Sequence, residues 1–270
     1  MTARHESKIV LADGERRSDE LRMSLPYDFP ELFRDFSFMP RFDENIEQLL
    51  ALAEPENWDY QHTTSNYAHP ILRNYLTYTY RRVAEEKKIV VTPDEEYACW
   101  NTGLITQSQE PIFILFSKNR LADRPQYWHF WRFCRQGEGD LNRFRSLPEM
   151  AHYFDDPAVL VFDVRKELRV NVEHVVADNR ERFPASLQGM GAFGLQNLVS
   201  GAIESARKRV QRNYKTAIPQ YYGGSIQLLL PLSLTDPTAA DLALVVDRFS
   251  DFYRAATCLT LDMAYNNARQ

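Results

Sequence analysis

Four runs rich in β-branched and aromatic residues, 89–92, 97–105, 112–116 and 127–134, follow one another with only short gaps between them. A parallel strand pair needs a crossover of a dozen or more residues. These gaps are too short for that, so the spacing predicts an antiparallel meander. In the fourth run Trp128, His129, Phe130, Trp131 and Phe133 crowd together. Alternation would put Trp128 and Phe130 on one face and Trp131 and Phe133 on the other. Such a sheet must be covered on both sides, so the chain must also supply covering helices.

Those helices are legible on either side of the meander. Asp43 can cap a short helix with Ile46, Leu49, Leu50 and Leu52 on its apolar side, stopped at Glu54-Pro55. His69-Pro70 opens a second, with Pro at the first helical position and Ile71, Leu72, Tyr75, Leu76 and Val83 at helical spacing. A short helix is expected over 147–154 and a buried strand over 159–162. Asn171 is expected to cap a helix running to about Phe183. A long helix is expected over about 192–214, with Pro219 ending that region. Tyr221-Tyr222-Gly223-Gly224 reads as a turn and 226–234 as an apolar run interrupted by Pro231. The stretches 242–246 and 258–264 suit strand or helix equally. No internal repeat stands out. The expectation is an α+β fold: a largely antiparallel sheet with packed helices in a single compact domain over 46–270. Residues 1–45 would form a partly irregular extension, anchored by the four Phe and three Pro of 25–41. A boundary near 145, beside the loop 136–140, is the alternative division.

Charge narrows the function classes. The net charge is −5, with 32 Lys and Arg against 37 Asp and Glu. A negative average field repels phosphates, so any nucleic-acid contact must come from a local basic cluster. The 3 cysteines, Cys99, Cys134 and Cys258, are widely spaced and form neither a disulfide framework nor a metal-binding CxxC. Free thiols, the lack of an apolar leader and the lack of a spanning stretch give a cytoplasmic, non-membrane expectation.

One segment breaks with the acidic average. In 207–215, Arg207, Lys208, Arg209, Arg212 and Lys215 are basic and no residue is acidic. At about 100° per residue, Lys208, Arg212 and Lys215 fall on one helical face. Three cations on one face suit successive phosphates and imply salt-sensitive binding. Tyr221 and Tyr222 follow and can stack on exposed bases. The bland alternative is a helix end whose cations complement its dipole, although five exceed what a helix end needs.

Two further groups carry possible chemistry. Asn171, His174, Asp178 and Arg182 stand at i, i+3, i+7 and i+11, one stripe of a helix. A His oriented by a carboxylate is an acid or base near neutral pH, and an Arg beside it can hold a phosphate. The same residues also suit a capped helix with internal polar pairs. Asp155, Asp156 and Asp163, near His152, could gather Mg²⁺ or Mn²⁺ for phosphodiester cleavage, or could simply be turn chemistry. His62 and His69 do not match a zinc spacing. No Walker A, GxSxG or HExxH pattern occurs. Gly189-x-Gly191-x-x-Gly194 fits the dinucleotide pattern by letter but does not follow a strand.

Several phrases together carry a resemblance. They are Asn101-Thr102-Gly103-Leu104 with Glu110-Pro111-Ile112-Phe113, Leu147-Pro148 through Tyr153-Phe154-Asp155-Asp156-Pro157, and Glu173-His174 with Asp178-Asn179 and Arg182-Phe183-Pro184. Arg209-Val210 through Tyr214-Lys215, Ile218-Pro219-Gln220-Tyr221-Tyr222 and Leu261-Asp262-Met263-Ala264-Tyr265-Asn266-Asn267-Ala268 complete the set. Over about residues 60–270 the chain resembles an uncharacterised domain family of bacterial and fungal proteins, often fused to OST-HTH (LOTUS) RNA-binding modules. The resemblance implies proximity to RNA processing and an OST-HTH-type partner, and carries over no catalytic residue. The leading expectation is an RNA-associated domain that binds phosphate backbone, with RNA or a nucleotide as partner and no cofactor. A phosphoesterase acting on RNA ends or nucleotides is the alternative enzyme reading, and a protein-interaction module is the third; the sequence leaves open whether the chain is an enzyme.

Overall fold

The computed structural model describes residues 28–269; the extension expected over residues 1 to about 25 lies outside the described residues. From Phe33 onward the chain is built into the core. A single helical turn, α1 (Phe33–Phe36), leads into the two-residue strand β1 (Ser37–Phe38), and Phe33 and Phe36 are buried. Helices α2 (Phe42–Leu52) and α3 (Pro70–Glu85) follow, then β2 (Val90–Val91), β3 (Tyr97–Ile105), β4 (Pro111–Lys118) and β5 (Trp128–Arg135). The sheet order is β1-β5-β4-β3-β2, with β1 parallel to β5 and the rest antiparallel.

The second half retraces this path. Strand β6 (Glu167–Val170) is followed by α4 (Val172–Asp178), the single turn α5 (Ala185–Gln188) and the long helix α6 (Ala192–Arg212). Then come β7 (Ile218–Tyr222), β8 (Ser225–Leu232), β9 (Leu242–Arg248), β10 (Phe252–Thr260) and a closing helix, α7 (Leu261–Asn267). The order is β6-β10-β9-β8-β7, again with the first strand parallel to the last. The two halves therefore share one topology: strand, helices, then a four-stranded meander that returns beside the first strand. The fold is α+β and mostly antiparallel, as expected, but the repeat is carried by topology and not by repeated residues.

Each sheet buries both faces. On the first, Ala98, Trp100, Ile112, Ile114 and Phe116 pack under α1–α3, while Cys99, Phe113, Leu115 and Cys134 are covered from behind by Leu141 and Phe144. Phe133 is on the helix side with Trp128 and Phe130, contrary to simple alternation. The register explains this: Leu115 pairs with Arg132 but Phe116 with Phe130, so a bulge at Trp131 flips the parity. On the second sheet, Leu228, Leu230, Leu244 and Val246 pack under α4 and α6, and Leu229, Ala243 and Val245 under α7. In α6 the buried positions Leu195, Val199, Ala202, Ile203, Ala206 and Val210 keep helical spacing. Tertiary burial of that stripe is what stabilises such a helix.

Local chemistry sets the boundaries. His69, at φ 51°, precedes Pro70 as expected, and its backbone N–H donates to Asp59 at 2.9 Å. Arg41, not Asp43, is the residue preceding α2; Asp43 lies in the first turn and pairs with Arg73. Asn101-Thr102-Gly103 forms a bulge within β3. Gly103 has φ 75°, and a Cβ there would sit 2.5 Å from the Tyr75 hydroxyl, which donates to the Thr102 carbonyl at 3.0 Å.

The region between the sheets departs most from expectation. Residues 147–154 form no helix. Their backbone is held by side chains of the α3 end instead: Arg82 Nε donates to His152 O, Lys88 Nζ to Met150 O, and the His152 N–H to Glu86. The stretch expected as a buried strand at 159–162 is half taken up by a 3₁₀ turn, Pro157–Leu160, capped by Asp156. Asn171 caps α4 as expected, its side chain accepting from the His174 N–H, but the helix stops at Asp178. There the Asn179 side chain donates to the Val175 carbonyl and accepts from Thr257. Pro219 lies inside β7, at a sheet edge where a proline is tolerated. Pro231 lies in β8 beyond the last β7 pair, Ile218 with Leu229, so it too faces an open edge. No helix among the described residues is long and apolar enough to cross a membrane.

A tyrosine and arginine cleft as the candidate functional site

Where the end of α3 meets the β7–β8 hairpin, a cleft of about 580 Å³ opens between the two halves. Tyr78, Arg81, Arg82 and Glu85 come from one face of α3, at i, i+3, i+4 and i+7. Tyr221, Tyr222, Gly223 and Gly224 come from the hairpin, and Tyr153 from the segment between the sheets. The hairpin turns on two left-handed residues, Gly223 at φ 57° and Gly224 at φ 86°, the requirement of a two-residue type I′ turn. Both glycines face open space, so this wall is bare backbone.

The aromatic groups differ in freedom. Tyr221 is held: its ring meets Tyr153 edge-on at 5.0 Å and the Arg82 guanidinium lies over it at 5.0 Å. Burial pushes the Tyr153 hydroxyl up, so it stays a neutral donor. Tyr222 and Tyr78 are 62% and 43% exposed, rings available to a ligand. Arg82 is fixed by His152 O at 2.8 Å, Glu85 at 3.4 Å and Glu86 at 2.7 Å. Arg81 contacts Glu85 at 3.2 Å and also Glu31. Carboxylates thus offset the arginine charge, and the cleft offers stacking surface and hydrogen-bonding edges more than a phosphate cradle.

The cations expected at the end of α6 divide. Arg207 pairs with Glu204 at 2.9 Å, and Arg209 is spent on Ser233 Oγ and Pro237 O. Lys208, Arg212 and Lys215 stand exposed, and none has an ion pair among the described residues. Lys215 lies past the helix, in the 3₁₀ turn Tyr214–Thr216. These three do not line the tyrosine cleft. They precede β7 and the tyrosines close it, so the five-residue strand, roughly 13 Å long at its ordinary rise, lies between them along the chain.

The other candidates are placed apart. His174 Nδ1 sits 3.0 Å from Asp178 on an exposed helix face. Arg182, beyond the helix end, turns inward and donates to Cys258 O at 2.7 Å, so the helical stripe does not extend to it. Asp155 pairs with His152, Asp156 caps its own turn, and Asp163 accepts two hydrogen bonds from the Arg165 side chain and one from its backbone N–H, which hold its carboxyl down to about 2. Among the described residues no three His, Cys, Asp or Glu side chains gather as a metal group. Sequence reasoning missed Tyr78, Arg81, Arg82, Glu85 and Tyr153. The signal was present in the aromatic and charged stripe opposite the apolar face of α3.

Comparison with protein families matches residues 49–270 to the domain of unknown function DUF3825. The chain belongs to this family. The DUF3825 match takes in every cleft residue and both meanders, while α1 and β1 precede it. No curated protein and no solved structure matches the chain.

Proposed function

We propose that this DUF3825 chain is an RNA-associated domain that holds single-stranded RNA across the β7 edge. Bases stack on Tyr222 and Tyr78 in the cleft, and the strand's phosphates run back toward Lys208, Arg212 and Lys215. The observation that carries this reading is the pair of exposed tyrosines beside the double-glycine turn, with Tyr221 locked behind them by Arg82 and Tyr153. Base–aromatic stacking contributes roughly 1–3 kcal/mol per base and tolerates any sequence. The cations come before the start of β7 and Tyr222 stands at its end, and the strand between, roughly 13 Å long, is a span of a few nucleotides. The three cations, which have no ion pair among the described residues, supply the salt-sensitive part despite the acidic average.

This role fits a cytoplasmic protein working beside OST-HTH-type modules in RNA processing, with no cofactor. The hydrolase alternative through His174, Asp178 and Arg182, or through metal at Asp155, Asp156 and Asp163, draws less support because those side chains point to different partners.

The test is fluorescence anisotropy with a labelled 12-nucleotide RNA of mixed sequence across a salt series. Replacing Lys208, Arg212 and Lys215 together by Ala is expected to lower the slope of log K against log salt by about 2, at roughly 0.7 per phosphate on a single strand. Tyr222→Ala is expected to weaken binding about tenfold while leaving that slope unchanged. No measurable binding by the wild type at low salt refutes the proposal.

A further inference from the structure

The polar side of the cleft is more selective than stacking requires. In Arg82 the Nε and both terminal nitrogens are engaged, so it serves as a fixed wall. In Arg81, which is half exposed, Nε and Nη2 are tied to Glu85 and Glu31, and Nη1 has no partner among the described residues. Glu85 takes one arginine contact on each oxygen, and its side chain lines the cleft and is 46% exposed, so each oxygen keeps acceptor capacity. A free donor therefore stands beside a carboxylate with two acceptors, in a cleft that Tyr78 and Tyr222 also line.

We infer that the cleft selects guanine, an assignment that rests on the RNA-binding reading above. Guanine alone among the four bases presents two adjacent N–H donors, N1–H and N2–H, on its Watson–Crick edge, with the O6 acceptor next to them. The two donors match the Glu85 carboxylate and O6 matches Arg81 Nη1. Adenine and cytosine offer the carboxylate a single amine, and uracil a single imide N–H flanked by acceptors that it repels. The stacked ring lies over Tyr222 or Tyr78, and the bare Gly223-Gly224 wall leaves room for the sugar. Guanine in a strand and a free guanosine nucleotide share this chemistry.

The probes are labelled uridine 12-mers carrying one central guanosine, inosine, adenosine or cytidine. The guanosine strand is expected to bind about fivefold or more tighter than the inosine strand, which lacks only the N2 amine. Glu85→Gln, with folding checked by circular dichroism, is expected to bring that ratio close to one. Equal binding of guanosine and inosine strands to the wild type overturns the guanine assignment and leaves RNA binding standing. Absence of binding to every strand overturns the RNA reading itself. Competition by guanosine monophosphate assigns the base to a free nucleotide; guanosine-selective binding that the monophosphate does not displace assigns it to a strand.

Discussion

Asp262 is the place where one substitution should loosen both halves at once. It opens α7, is 5% exposed, and belongs to the second half. Its carboxylate accepts from donors of the first: Gln61 N–H at 2.9 Å, His62 N–H at 3.0 Å and the Thr63 hydroxyl at 2.8 Å. One turn later Asn266 accepts from Asn74 of α3, the helix that carries the cleft. Hydrogen bonds to a charged acceptor contribute roughly 1.5–3 kcal/mol each. Here water can partly replace them, since the donors lie in an exposed loop. Taking about 1 kcal/mol for each of three donors, Asp262→Ala should cost about 3 kcal/mol, a large share of the 5–15 kcal/mol typical of a folded protein. Equilibrium urea unfolding followed by circular dichroism measures it, with a midpoint about 1 M lower at an m-value near 3 kcal/mol/M. The pH dependence gives an independent sign. Burial alone would raise this carboxyl, but the hydrogen bonds from Gln61, Thr63 and His62 outweigh it and hold the group below its ordinary value. A depressed folded-state pKa contributes stability above the unfolded value of about 3.9 and loses it as pH falls through the folded value. Asp262→Asn should therefore flatten the stability profile below about pH 4. A midpoint shift worth less than about 0.5 kcal/mol for Asp262→Ala would show that the tether is not structural and refute the reasoning.

Two further outcomes test the fold. Gly103→Ala meets both a left-handed backbone at φ 75° and the Tyr75 hydroxyl 2.5 Å from the new methyl; the expected cost is about 2–3 kcal/mol, lowering Tm by roughly 6 °C in calorimetry, with partial rescue by Tyr75→Phe. Burial pushes the Cys134 and Cys258 thiols up to about 11 and raises Cys99 as well, so a disulfide reagent at pH 8 should label none of them until urea is added, and rapid native labelling would contradict the burial.

The first meander and the long helices were legible because their pattern is local, whereas β9 and β10 suited strand or helix equally and β1, β6 and β7 were not anticipated. Pro70 at the first turn of α3, the apolar stripe of α6 and the short gaps of 89–134 need only neighbours to be read. The failures have a common cause in long-range satisfaction of polar groups. Residues 147–154 carry a helical pattern, but Arg82, Lys88 and Glu86 supply partners that a helix would otherwise provide. The bulge at Trp131 is set by register with β4, which no single strand announces. The basic run was visible because it is contiguous, while the cleft was not: its residues come from positions 78–85, 153 and 221–224, and only packing brings them together.

The shared topology of the two halves bears on why the candidate site lies on one side. In the shared path β2 and β7 are equivalent edge strands, each reached directly from the long helix of its half. The two differ in length. β2 has two residues, Val90–Val91, and presents little edge, whereas β7 has five and ends in a double-glycine hairpin. An exposed edge is a liability that proteins cover or interrupt, and here Pro219 interrupts the β7 edge while α3 of the other half stands across the hairpin. The same geometry leaves Tyr222 at the rim, opposite the polar face of α3. If the cleft depends on this junction and not on either half alone, loosening the tether at Asp262 should weaken the proposed RNA binding in the cleft while the salt slope proposed for Lys208, Arg212 and Lys215 persists. Binding by folded Asp262→Asn that is indistinguishable from wild type would show that the hairpin alone carries the site.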